Sequence, residues 1–143
     1  MKKYFVIGNP IDHSLSPILH NYWLKENSIN AIYDKKKADE KDLQSIISDI
    51  KQKKISGINV TVPFKKAVIP YLDKLSSEAQ QTQSVNTIVL NNNNLIGHNT
   101  DIPGFVNAIK NIKFNIEGKK ILILGAGGVA PSIIFALNKM NVS

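Results

Sequence analysis

A lysine and an aspartate, each closing a polar run, are the residues of this chain best suited to moving a proton. Lys65 ends Asn59-Val60-Thr61-Val62-Pro63-Phe64-Lys65, and Asp101 ends Gly97-His98-Asn99-Thr100-Asp101. Between them lies Ser84-Val85-Asn86-Thr87, and near the N-terminus stands Ser14-Leu15-Ser16-Pro17. One amine, one carboxylate, two amides and several hydroxyls suit a pocket for a small polyhydroxylated acid undergoing proton transfer. The acid orients the lysine or a substrate hydroxyl, and the lysine exchanges a proton with a carbonyl oxygen. No metal is expected: cysteine is absent, and His13, His20 and His98 lack ligand spacing and read as packing or surface residues.

Each motif also has a plainer reading. Ser16 before Pro17 suits a helix N-cap with proline at the first helical position. Ser14 has no capping duty, and two hydroxyls ahead of a helix can instead hold a carboxylate with help from free N–H groups. Asn59 and Thr61 alternate with Val60 and Val62, so the polar pair shares one strand face, turned to a cleft or simply to solvent. Lys65 can be a solvated surface lysine, and Thr100 or Asp101 can cap the helix that follows. Gly125-Ala126-Gly127-Gly128-Val129-Ala130 has the G-x-G-x-x-A spacing of a dinucleotide loop, whose glycines let the backbone approach a pyrophosphate.

The elements that must position these groups follow from periodicity. Strands are expected at Tyr4–Gly8, Ala31–Tyr33 and Gly57–Val62, the last stopped by Pro63. The helix after Ser16 should turn Ile18, Leu19, Tyr22 and Trp23 to the core. A second helix over Asp39–Lys53 carries the stripe Leu43, Ile46, Ile47 and Ile50, with Asp39 as its cap. Part of Lys65–Leu72 reads as helix disturbed by Pro70, and Leu75–Gln83 as another short helix. Val85–Leu90 and Leu95–Gly97 form a hairpin through Asn91 to Asn94, residues that tolerate positive φ. Ile102–Ile112 is helical, Ile121–Leu124 a buried strand, and Val129–Met140 the helix after the glycine turn. The alternation argues for an α/β fold with a boundary near Asp101.

Composition bounds the partners. A chain of 143 residues with 43% apolar content supports a folded core. The net charge of +7 and pI near 9.6 invite nucleic acid, but all eighteen basic residues are lysine and they are dispersed, so the bidentate guanine contact is supplied only weakly and no nucleic-acid partner is expected. Met1-Lys2-Lys3 is followed by too short an apolar run for a signal peptide, which gives a cytoplasmic expectation. Ile121 to Leu137 lacks charge but is interrupted by Gly125, Gly127, Gly128 and Pro131, so no membrane span is expected.

Read together, the motifs resemble the shikimate dehydrogenase family from residue 4 to the C-terminus. Ser14-Leu15-Ser16-Pro17 is similar to its S-x-S-P, Asn59 to Lys65 to its N-V-T-x-P-x-K, Val85-Asn86-Thr87 to its V-N-T, and Asn99-Thr100-Asp101 to its N-T-D. Gly125 to Ala130 resembles its NADP loop. The resemblance implies NADP-dependent reduction of 3-dehydroshikimate to shikimate, on the route to chorismate, with Lys65 and Asp101 catalytic. It implies that Ser14, Ser16, Asn59, Thr61 and Asn86 bind substrate, and that Gly125, Ala126, Gly127, Gly128, Val129 and Ala130 bind the cofactor. It implies an open three-layer α/β/α substrate-binding domain with a mainly parallel sheet over residues 1–100. The first βα unit of a Rossmann-like NADP domain follows over 101–143.

Two departures stand out: Gln83-Ser84 replaces a small Gly-Ala pair, and Ile102-Pro103 replaces small residues after the aspartate. Family members are considerably longer, so the expectation includes a non-catalytic shikimate-binding fragment, and a quinate-using relative shares the same motifs. The resemblance leaves a homodimer open. A lone strand with one helix cannot cover its own apolar faces, so residues 121–140 are expected to pack on the first domain, pack on another chain, or fray.

Overall fold

The computed structural model describes residues 1–142. In chain order the elements are β1 (Lys2–Gly8), α1 (Ser16–Glu26), β2 (Ala31–Lys37), α2 (Leu43–Lys51), β3 (Gly57–Val60), β4 (Lys74–Leu75), α3 (Ser77–Thr82), β5 (Thr87–Asn91), β6 (Asn94–His98), α4 (Asp101–Asn111) and α5 (Ala130–Lys139). The strands form one sheet in the order β2-β1-β3-β5-β6-β4. Pairings β1–β2, β1–β3 and β4–β6 are parallel, and β3–β5 and β5–β6 antiparallel, so the sheet is mixed with parallel pairs in the majority.

Helices cover both faces, which gives the three layers. Alternation along β1 sends Ile7 to the face covered by α2 and Val6 to the opposite one. Leu43, Ile46, Ile47 and Ile50 of α2 are all buried, as their spacing requires, against Ile7, Ile58 and Ile88. A short 3₁₀ turn at Glu40–Asp42 leads into α2, and Asp39 N–H donates to Asp42 Oδ2 at 2.8 Å, closing its start. The hairpin of β5 and β6 turns through Asn92 and Asn93, with φ of 48° and 61°, as a two-residue turn with both residues left-handed demands.

Helix α1 departs from expectation. Ile18, Leu19, Tyr22 and Trp23 are 73%, 47%, 59% and 48% exposed, and no residue of α1 is buried. Polar groups hold its inner face instead: Asn21 Nδ2 donates to Tyr33 O at 2.7 Å and Asn21 Oδ1 accepts from Tyr33 N at 2.9 Å. His20 stacks on the Tyr33 ring at 4.0 Å. With the sheet-facing side taken by these residues, the apolar stripe turns outward.

Other differences are local. The Lys65–Leu72 region is a series of turns ending in a 3₁₀ turn at Ile69–Tyr71, because Pro70 lacks the N–H a longer helix needs. Leu75, expected to start a helix, instead pairs with β6 alongside Lys74 in a two-residue edge strand, and α3 begins only after Ser76, whose Oγ accepts from Ala79 N.

The largest correction concerns residues 121–124. They join no strand of the sheet, and Leu122 and Leu124 are 84% and 88% exposed. A parallel strand forms only beside neighbours that supply its hydrogen bonds, and none stands there. Helix α5, in contrast, packs on α4 and α3, burying Ala136 and Leu137. Among the described residues no helix is long and apolar enough to cross a membrane.

Candidate active site

The two chemistry-bearing runs converge because the sheet changes direction at β5. Parallel β1 and β3 deliver Asn59 near the carboxyl end of β3, and Thr61 and then Lys65 beyond it. The antiparallel β5–β6 hairpin begins at that same end with Asn86 and returns to it with Asn99, Thr100 and Asp101. Phe64, 4% exposed, anchors the turn under Lys65, and Lys65 O accepts from Val85 N at 2.8 Å. Lys65 Nζ thereby donates to Asp101 Oδ2 at 2.7 Å, the two side chains retaining 15% and 25% of their exposure. A charged pair this short and this far withdrawn from water is held in one geometry. The ammonium keeps N–H bonds beyond the one given to Asp101.

Asn86 sets the carboxylate. Its Nδ2 donates to Asp101 Oδ1 and to Thr100 Oγ1, both at 2.9 Å, while its Oδ1 accepts from Thr100 N at 2.9 Å. Asn59 is equally occupied: Nδ2 donates to Asn86 O at 3.2 Å and Thr87 Oγ1 at 3.0 Å, and Oδ1 accepts from Tyr33 Oη at 2.7 Å. These two asparagines are thus struts between strands. Burial pushes the Tyr33 phenol up to about 12, which keeps it a donor.

The hydroxyl cluster lies alongside. Ser14, Ser16 and Thr61 line one cavity of about 470 Å³ with His13 and Val62. Lys65 lines an adjoining cavity of about 420 Å³ with Lys66, Gln83, Ser84, Gly128 and Pro131. Val62 borders both, so the single hollow expected from sequence is two neighbouring ones. The capping roles are exchanged relative to expectation: Ser14 Oγ accepts from Ser16 N at 3.3 Å, whereas Ser16 is the first residue of α1 and makes no side-chain cap. At α4, neither Thr100 nor Asp101 caps by its side chain, and Asn99 Oδ1 accepts from Asp101 N at 3.1 Å.

The glycine turn departs from its fingerprint in one respect. Gly125 has φ of +110°, space beside Gly127 and Gly128 is open, and α5 begins at Ala130, all of which fit the approach of a phosphate to a helix N-terminus. The strand that should precede the turn is unpaired. The turn is held near the pair by Asn99, whose buried Nδ2 donates to Ser132 Oγ at 2.8 Å and to Thr82 Oγ1 at 3.0 Å.

Among the site's supporting residues, Thr87, Asn99 and Thr100 stood inside the quoted motifs without a site role, and Tyr33 stood outside them. An asparagine two positions before a helix was a usable signal for Asn99. Tyr33 had none, because only the register across three strands brings it to Asn59.

Known proteins share this sequence and this fold. The family model of the shikimate dehydrogenase substrate binding domain matches residues 6–88. The curated shikimate dehydrogenase (NADP(+)) of Pelagibacter ubique (strain HTCC1062) is 55% identical over 99% of this chain and 54% of its own length. The crystal structure of shikimate dehydrogenase from Aquifex aeolicus has a TM-score of 0.94 at 38% identity, covering 100% of this chain and 54% of that one. Shikimate 5-dehydrogenase from Thermus thermophilus, in complex with NADP(H) and shikimate, has a TM-score of 0.92 at 34% identity over 99% of this chain and 54% of that one. The chain spans about half the length of the curated relatives it matches. Since the matched stretch takes in Ser14, Ser16, Asn59, Thr61, Lys65 and Asn86 and exceeds half the chain, this protein belongs to the shikimate dehydrogenase substrate-binding domain family.

Proposed function

We propose that the chain is the substrate-holding half of an NADP-dependent shikimate dehydrogenase, a cytoplasmic enzyme that reduces 3-dehydroshikimate to shikimate toward chorismate. The observation that carries the reading is the 2.7 Å contact between Lys65 Nζ and Asp101. Reducing a ketone leaves negative charge on its oxygen, and a proton must arrive there. Lys65 Nζ donates that proton, while Asp101, itself fixed by Asn86, keeps the ammonium aimed. Ser14, Ser16 and Thr61 hold the substrate carboxylate in the adjoining cavity, supported by the amide groups at the start of α1. Asn59 and Asn86 keep the pocket wall in register. NADPH supplies the hydride when bound, and Gly125, Ala126, Gly127, Gly128, Val129 and Ala130 receive its phosphates. The substrate domain ends near residue 100, where α4 begins, and residues 101–143 belong to the cofactor domain.

The unpaired segment 121–124 favours a narrower role for the chain by itself: holding substrate without completing the cofactor site. Titration of the ¹⁵N-labelled chain with shikimate should shift the amides of Ser16, Thr61, Lys65 and Asp101 saturably. Unmoved resonances at those positions refute the pocket. A parallel assay of NADPH oxidation with 3-dehydroshikimate separates enzyme from binding half. In any form that turns over, Lys65→Ala should lower the rate by roughly 10²–10⁴-fold with little change in substrate affinity.

A further inference from the structure

Tyr33 touches neither Lys65 nor Asp101 directly, yet it is joined to both ends of the proposed pocket. Its backbone is clamped by the Asn21 side chain at 2.7 and 2.9 Å, and the residue as a whole is 4% exposed. On one side the ring stacks on His20 at 4.0 Å with a 12° interplanar angle. His20 Nδ1 lies 2.9 Å from Ser16 O, an obligate acceptor, so this nitrogen carries the proton and ties the stack to the Ser14–Ser16 loop.

On the other side the hydroxyl opens a continuous chain of hydrogen bonds. Tyr33 Oη donates to Asn59 Oδ1 at 2.7 Å, and Asn59 Nδ2 donates to Thr87 Oγ1 at 3.0 Å. Thr87 Oγ1 donates to Asn86 Oδ1 at 3.1 Å, Asn86 Nδ2 to Asp101 Oδ1 at 2.9 Å, and Lys65 Nζ meets Asp101 Oδ2 at 2.7 Å. The direction of the donors is forced. Asn59 Nδ2 faces the Asn86 carbonyl, which only accepts, and so Asn59 Oδ1 must face Tyr33, whose hydroxyl is its sole partner among the described residues.

We propose that Tyr33 is a positioning residue: its ring fixes the hydroxyl-bearing loop through His20, and its hydroxyl fixes the Asn59–Thr87–Asn86 strut that aims Asp101 at Lys65. This rests on the shikimate-pocket reading for its ligand and on geometry alone for the network. A buried phenol that stays protonated suits the role, because only the O–H form can donate.

Tyr33→Phe keeps the stack and removes one donor; Tyr33→Leu removes both. In Tyr33→Phe the side-chain amide resonances of Asn59 and Asn86 should move while that of Asn94, which donates to Asn92 O in the β5–β6 turn, stays in place. Shikimate affinity of the chain should fall about tenfold, the equivalent of one net hydrogen bond. Tyr33→Leu should add a shift at the Ser16 amide. In an Asn59→Ala background, Tyr33→Phe should change affinity by less than about twofold, since the route through Asn59 is already cut. A role confined to stability would lower the melting temperature equally in both backgrounds and leave affinity alone, which overturns the proposal. So do Asn59 and Asn86 amides that ignore Tyr33→Phe, even if wild-type chain fails to bind shikimate; that failure by itself refutes only the substrate assignment.

Discussion

Ser84 carries a local energetic penalty that no neighbour relieves. It is 4% exposed and its hydroxyl has no hydrogen-bond partner among the described residues. Leaving such a group buried forfeits its hydration without return. Ser84→Ala should therefore stabilise the fold by about 1 kcal/mol in urea denaturation; a loss of stability would mean the hydroxyl is satisfied after all. At this scale the contrast with Lys65 and Asp101 is instructive. Their types and motif context already argued for a proton-moving pair, and the fold places them 2.7 Å apart. Asn59 and Asn86 were equally visible as polar residues, but the side-chain partners that turn them into struts, Tyr33 and Thr100, belong to other segments. No local pattern encodes a partner set by sheet register.

Among the elements, the end of β1 is a tight joint. A Cβ on Gly8 would stand 2.6 Å from Thr61 Cγ2 and 3.0 Å from Val62 O, and that carbonyl is itself held by Asn9 N at 3.1 Å. Gly8→Ala must displace Thr61 or the backbone after β3. It should cost about 1–3 kcal/mol of stability by denaturant melting and shift the Thr61 amide. An unchanged Thr61 resonance would show that the strand ends yield elsewhere. Helix α2 and the asparagine hairpin were legible because period and turn chemistry are local properties. Helix α1 misled because its apolar stripe is real but faces outward, its inner side being held by Asn21 and His20. Residues 121–124 misled for the opposite reason: a β-prone run fixes only a preference, and pairing needs neighbours.

For the molecule as a whole, stability should depend on alkaline pH through one buried phenol. The Tyr33 value is raised by burial from 10.0 to about 12. Below pH 10 both folded and unfolded chains keep the proton, and the contribution is fully present. Between 10 and about 12 the unfolded chain releases it while the folded chain retains it, so stability falls as pH rises; the total is on the order of 2–3 kcal/mol. Comparing denaturation of wild type and Tyr33→Phe across this range isolates the effect, since the variant lacks the slope. Equal slopes would mean that the phenol ionises alike in both states. The overall layering was readable from the alternation of elements, whereas the antiparallel return of β5 and β6, on which the whole site depends, was only half visible as a hairpin signal.

The sheet guards one border and the chain leaves another open. Strand β2 lies at the end of the sheet and presents Lys35, Lys36 and Lys37, charges that repel an incoming chain. Ile121-Leu122-Ile123-Leu124 has branched, greasy side chains and unclaimed main-chain groups, with only Lys119 and Lys120 beside it. These four residues, leading straight into the glycine turn, thereby add an adhesive strip to the outward apolar stripe of α1, and self-association in concentrated solution should begin at such uncovered surface rather than at the basic one.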